Sequence, residues 1–238
     1  MLILAIDTSG KNGSLALVRF DVGTGGDCSN FETLDLVQLA SGTYSAQLVP
    51  QLSAMLARRK IDKGTVDAYA VASGPGSFTG LRVGLSTVKA LADATAKPIA
   101  AVTAFDAVAW QVEAQGRILI LLDAGRKQVF VSEFLVEGRL RTPLSEHLLD
   151  PPQLTEKLAA DPLPIFTPDA NVAELLGVVP AAPSRYQSTV TVVPTPQADH
   201  YARIGAERIV AGNTVSPAEL DANYIRPSDA EVVFRGSR

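Results

Sequence analysis

An acidic residue closes the first apolar run of the chain, where Leu2-Ile3-Leu4-Ala5-Ile6 ends on Asp7-Thr8-Ser9-Gly10. A carboxylate at a strand end, followed by hydroxyls and a glycine, sets N–H and O–H groups around one point past the sheet edge. Such a turn can hold a phosphate or a metal-bound water. It can equally do no more than close a hairpin. The pattern recurs where Ile118–Leu122 runs into Asp123-Ala124-Gly125. Two acidic turns facing one cleft form a nucleotide-binding arrangement, so Asp7, Thr8, Ser9 and Asp123 are the candidate phosphate or nucleotide residues.

The second chemical candidate is Gly74-Pro75-Gly76-Ser77-Phe78-Thr79-Gly80. Its glycines are one residue too widely spaced for a dinucleotide fingerprint. Ser77 lacks the flanking glycines of a nucleophile elbow, and no Gly-Lys-Ser/Thr follows to make a P-loop. What remains is a tight strand-to-helix turn with Ser77 or Thr79 at the N-cap. The helix after it carries Gly76, Gly80, Gly84, Val88, Ala92 and Ala96 on one stripe, beside an apolar ridge of Leu81, Leu85 and Val88. Small residues admit another backbone at close range. Both faces must be buried, either against the chain's own sheet and neighbouring helix or against another protein.

Independent metal or nucleophilic catalysis finds little material. The only histidines, His147 and His200, are far apart in sequence, and Cys28 is the sole cysteine. That leaves no paired-histidine motif, no internal disulfide and no cysteine cluster. The closing run Leu220-Asp221-Ala222-Asn223-Tyr224-Ile225-Arg226-Pro227, with Arg235 and Arg238, reads as a solvated, modestly basic tail.

The elements that position these residues follow from periodicity. Leu2–Ile6 and Ser14–Val18 predict a hairpin, with a third strand over Thr33–Leu39 after the turn Gly23–Gly26. Leu48, Leu52 and Leu56, widened by Val49 and Met55, predict a helix over Ser45–Arg59. Pro50 fits it only in the first turn. A strand at Asp67–Ala72, the glycine-rich turn, a helix to Ala96, a strand at Ile99–Val102 and a helix at Phe105–Gln115 complete the half. The cycle restarts at Gly116: strands at 118–122, 128–136 and 139–142, helices at 153–160, 171–176 and 198–211, and strands at 163–166 and 189–193. Each half reads strand-strand-strand-helix-strand-helix-strand-helix, an α/β pattern implying a mixed sheet with packed helices. Two lobes are expected, residues 1–115 and 116–238.

The composition agrees. The chain has 238 residues, 47% apolar and 19% charged, with a formal net charge of −4. Disorder and low-complexity classes are excluded. No run approaches the roughly 20 apolar residues of a spanning helix, and no leader is evident, so a cytoplasmic protein is expected. The acidic balance argues against tight nucleic-acid binding by this chain alone.

Three strings together resemble the TsaB (YeaZ) family: Leu4-Ala5-Ile6-Asp7-Thr8-Ser9, Gly74 through Gly84 (G-P-G-S-F-T-G-L-R-V-G), and Tyr224-Ile225-Arg226-Pro227. They occur in the family's order across the whole chain. The resemblance implies a two-lobed actin/Hsp70/sugar-kinase-like (ribonuclease H-like) fold. It also implies a role in installing threonylcarbamoyl on the adenosine beside the tRNA anticodon. The family member there is a non-catalytic partner of its metal-binding relative TsaD, working with the ATPase TsaE. On this resemblance Leu48, Leu52, Met55, Gly80, Leu81, Gly84, Leu85 and Val88 form the partner contact set, some of them facing the core. Homodimerisation in isolation and tRNA contact through the assembly are further expectations, and ATP or ADP at the cleft or complex interface is the one cofactor implied. The alternative is an actin-like ATPase or peptidase-like enzyme acting through the Asp7 turn.

Two departures bear on this. Tyr44 stands where the family commonly has a histidine, ahead of Ser45 and Pro50. The second half also matches the family's D-A-R-x-x-x-V-Y only loosely and lacks a Gly-Gly adenine loop, so weak or no nucleotide turnover is expected of the isolated chain.

Overall fold

The computed structural model describes residues 1–40, 42–175 and 189–226. β1 (Leu2–Asp7) is apolar on both faces because it lies mid-sheet, paired antiparallel to β2 (Gly13–Val22) and parallel to β4 (Ala68–Gly74). β3 (Cys28–Leu39) forms one edge beside β2 and β5 (Ile99–Thr103) the other, giving the order β3-β2-β1-β4-β5. Alternate residues of β1 serve opposite faces. Leu4 and Ile6 join Leu15, Leu17, Tyr69 and Val71 in the core cluster under α1 (Tyr44–Arg59) and α2 (Phe78–Thr95). On the other face Ile3, Ala70 and Ala100 line the approach of Gly205 in α6 (Ala198–Val210).

α1 differs from the sequence expectation at Pro50, which lies in its second turn because the helix already begins at Tyr44. Proline there removes one i→i−4 bond, at about 3 kcal/mol in a helix interior. Burial of Tyr44, Leu48, Leu52 and Met55 along the opposite face offsets that cost. The helix ends at Lys60, in the left-handed region, and is tethered at its last turn. Asp35 of β3 accepts from Arg58 Nη2 at 2.7 Å and from Arg59 Nε at 3.1 Å. Asp35 and Leu39 are the buried residues of β3, while Leu36 is exposed. α3 (Ala104–Ala109) is shorter than the periodicity suggested.

A second sheet repeats the first. β6 (Gly116–Gly125) pairs antiparallel with β7 (Gln128–Glu137) and parallel with β9 (Ile165–Thr167), flanked by β8 (Leu140–Leu149) and β10 (Val190–Val192). Its order, β8-β7-β6-β9-β10, is that of the first sheet element for element. α4 (Pro151–Ala160) supplies Leu154 and Leu158 to its core and starts in an Asp150/Gln153 capping box. α5 (Ala170–Leu175) follows β9.

The division into contiguous lobes at 115/116 needs correction. One compact unit comprises Met1–Ala107 with Pro196–Asn223, the other Val108–Thr195 with the chain from Tyr224 onward. α6 belongs to the first unit because its apolar stripe, with Tyr201, Ala202 and Ala206 buried, packs on the first sheet. The segment after α6 stays there: Val215 bridges Ile99, Leu220 enters the core, and Asn223 N–H donates to Ser73 O at 2.6 Å.

Candidate functional site

β1 carries Asp7 to the sheet end, where its side chain is 4% exposed. The same oxygen, Oδ1, accepts from Ser9 N–H at 2.9 Å and from the Ser9 hydroxyl at 2.6 Å. Burial pushes the carboxyl up to about 6, although the two Ser9 bonds pull the other way. Two phenols flank the turn. Tyr44 of α1 donates to Gly10 O at 2.8 Å, and fully buried Tyr201 of α6 shares a hydrogen bond with the Ser9 side chain. Burial first and the Asp7 charge second raise both phenols.

α2 closes the remaining side. Thr8 Oγ1 donates to Gly80 O at 2.7 Å, and Ser9 O accepts from Ser77 N–H at 2.7 Å. The Ser77 hydroxyl caps the helix by accepting from Gly80 N–H at 3.2 Å. A Cβ on Gly76 or Gly80 would overlap the carbonyl oxygens of Ser9 and Thr8, and one on Gly84 would lie 2.5 Å from Thr8 Oγ1. The small-residue stripe is therefore shaped to the Asp7 turn of the same chain.

The eight residues read as a partner contact set are corrected accordingly. Leu48, Leu52, Met55, Leu81, Leu85 and Val88 are core side chains at 0–5% exposure. Gly80 and Gly84 are buried against the turn. What α1 turns outward ahead of Arg58 and Arg59 is Ser45, Ala46, Val49, Pro50, Ser53, Ala54 and Ala57, with no charge among them.

Asp123 belongs to the second unit and is exposed. Its Oδ1 accepts from Gly125 N–H at 2.7 Å, the same i to i+2 bond that Asp7 makes. Its own N–H donates to Asp169 Oδ2 at 2.8 Å. Ala124 and Gly125 offer no hydroxyl, so the two turns share a backbone pattern but not a donor set.

Sequence reasoning did not find Tyr201 or Asp169. The first had a signal, an aromatic on the apolar stripe of the last helix; the second, between β9 and α5, had none. The tail reading also changes, since the run is held through Arg226, whose Nη2 donates to Gln128 Oε1 at 2.7 Å. Pro227, Arg235 and Arg238 lie outside the described residues. Among the described residues no three His, Cys, Asp or Glu side chains are grouped to hold a metal ion.

A sheet of order 3-2-1-4-5 with its second strand antiparallel, present once in each unit, defines a duplicated ribonuclease H-like fold of the actin type. Comparison with known proteins narrows this class. The family model described as TsaD, tRNA N6-adenosine threonylcarbamoyltransferase, matches residues 38–174. The Haemophilus influenzae tRNA threonylcarbamoyladenosine biosynthesis protein TsaB is 25% identical over 95% of this chain and 94% of its own length. An uncharacterized Mycobacterium leprae protein is 29% identical over 98% of this chain, which spans only 56% of that relative. A crystal structure from Pseudomonas aeruginosa, of an uncharacterized protein with similarity to peptidase YEAZ, superposes with a TM-score of 0.72. It is 22% identical, covering 94% of this chain and 99% of that one, and shows the fold alone. The chain belongs to the threonylcarbamoyltransferase family that this model describes, in its TsaB (YeaZ) branch. The TsaB relatives are named for tRNA threonylcarbamoyladenosine biosynthesis.

Proposed function

We propose that this chain is a non-catalytic, cytoplasmic subunit of the assembly that installs threonylcarbamoyl on tRNA adenosine, pairing with and activating a TsaD subunit alongside the ATPase TsaE. The observation that carries the reading is the state of the Asp7 turn. Three donors that would cradle a phosphate there already have acceptors in the fold. Ser9 N–H and the Ser9 hydroxyl serve Asp7, and the Thr8 hydroxyl serves Gly80 O. A ligand would have to displace these bonds and the packing of α2 glycines behind them.

Pairing is supported by the outward face of α1. A solvent-facing helix normally carries charge, yet this one shows none until Arg58 and Arg59, which are bound to Asp35. Val49, 55% exposed, is the largest apolar residue on that outward face. Substitution at Gly84 or Leu85 cannot test pairing, because both are core positions. The informative variant is Val49→Glu with Ala54→Glu, co-purified with tagged TsaD. Loss of capture with an unchanged melting temperature is expected, and undiminished capture would refute this face as the contact.

A further inference from the structure

We propose that the β6–β7 hairpin tip is a contact for the phosphodiester backbone of RNA, made by Arg126 and Lys127 and supported by Arg226. The inference rests on the tRNA reading above and names the part of this chain that would meet the nucleic acid.

Gly125 and Gln128 are paired across β6 and β7, so Arg126 and Lys127 are the whole loop. Both have positive φ, 54° and 60°, and follow Gly125 at 68°. Two-residue hairpin loops of this form are filled by Asn-Gly, Asp-Gly or Gly-Gly, because a Cβ is strained there. Two long cationic side chains are a poor choice for making this turn. Both are exposed at the end of the hairpin.

A third cation comes from a distant part of the sequence. Arg226 donates to Gln128 Oε1 at 2.7 Å, and its guanidinium lies 5.8 Å from the centre of the Phe130 ring. Gln128 and Phe130 are the first and third residues of β7, so Arg226 is held at the base of the same hairpin. The acids nearby, Asp123 and Asp169, both accept backbone N–H bonds at the strand end, from Gly125 and Asp123 respectively. In a chain of net charge −4, polyanion contact has to be local. Guanidinium and ammonium groups on a strained tip suit phosphate oxygens, which they would position without reading sequence.

The test separates turn chemistry from charge. Arg126→Asn with Lys127→Gly installs the preferred turn; Arg126→Gln with Lys127→Gln keeps the strain and removes the charge. Each is measured in the full chain assembled with TsaD, by melting temperature and by tRNA affinity across a salt series. The Asn-Gly variant should melt about 2–4 °C higher than wild type, and the Gln-Gln variant should melt with wild type. Both should bind tRNA more weakly, with the slope of log affinity against log salt shallower by about two. Wild-type affinity and slope in both variants would overturn the proposal, as would an assembly that binds tRNA no better than TsaD alone. The proposed function fails separately, if the wild-type assembly forms but does not modify tRNA.

Discussion

Replacing Asp7 with asparagine probes the buried turn most sharply. Asn keeps an acceptor for Ser9 N–H and the Ser9 hydroxyl while removing the charge. In the folded chain the carboxyl titrates at about 6 against an ordinary value of 3.8, because burial opposes ionisation. The folded state thus holds a proton that the unfolded state has already lost. Stability falls as pH rises from about 4 through about 6, and the full deficit is present above that. A displacement of roughly two units corresponds to about 3 kcal/mol. The assay is urea unfolding of wild type and Asp7→Asn at pH 4, 5, 6 and 7, read as the difference between the two proteins. Acids whose carboxyls are pulled down in the fold, such as Asp35 and Asp199, are common to both and cancel. The variant should gain about 2.4 kcal/mol on wild type between pH 4 and pH 7, the rest of the deficit lying below pH 4. A difference that is flat with pH, or that shrinks as pH rises, would refute the idea that Asp7 is held neutral-preferring by burial.

Other outcomes follow from the same geometry. Gly80→Ala, which in an exposed helix would add about 1 kcal/mol, should here cost about 2 kcal/mol or more through overlap with Thr8 O, visible as a lower urea midpoint. In Asp35, burial raises the carboxyl but hydrogen bonds from Arg59 and Arg58 outweigh it and hold it below the usual range. Its stabilisation is present above the ordinary carboxylate value and is lost as pH falls through the depressed one. Asp35→Asn should therefore lower the midpoint at pH 7 by an amount worth about 1–3 kcal/mol and by less at pH 3.

The central strands were legible because they are apolar on the faces they bury, but the order in which they pair was not, because periodicity names no neighbour. The order of elements from β1 to α6 also follows from period-2 and period-3.6 patterns. The domain assignment of α6 was not legible. Its stripe of Tyr201, Ala202 and Ile204 shows that it must pack on a sheet, and nothing local says which one. The glycines of α2 were readable as a close-approach surface, but the object approached was ambiguous. Only the fold shows that Thr8 and Ser9 occupy it. The same ambiguity misplaced the contact set, since periodicity identifies a helix's apolar face and that face goes to the core first. The uncharged outer face of α1 was present in the sequence as a lack of charge between Ser45 and Ala57. Its meaning depended on knowing which side faced out.

On the proposed function, this chain completes a tRNA-modifying assembly without itself doing chemistry at the Asp7 turn. Transfer of labelled threonylcarbamoyl to tRNA by TsaD and TsaE, supplied with threonylcarbamoyl-AMP, tests it most directly. The reaction is run without the chain, with wild type and with Asp7→Asn, alongside ATP turnover by the pure chain. Modification should require the chain, proceed equally with wild type and Asp7→Asn, and be accompanied by no turnover from the chain alone. Modification that proceeds undiminished without the chain, or a turnover by the pure chain that Asp7→Asn abolishes, would contradict the account.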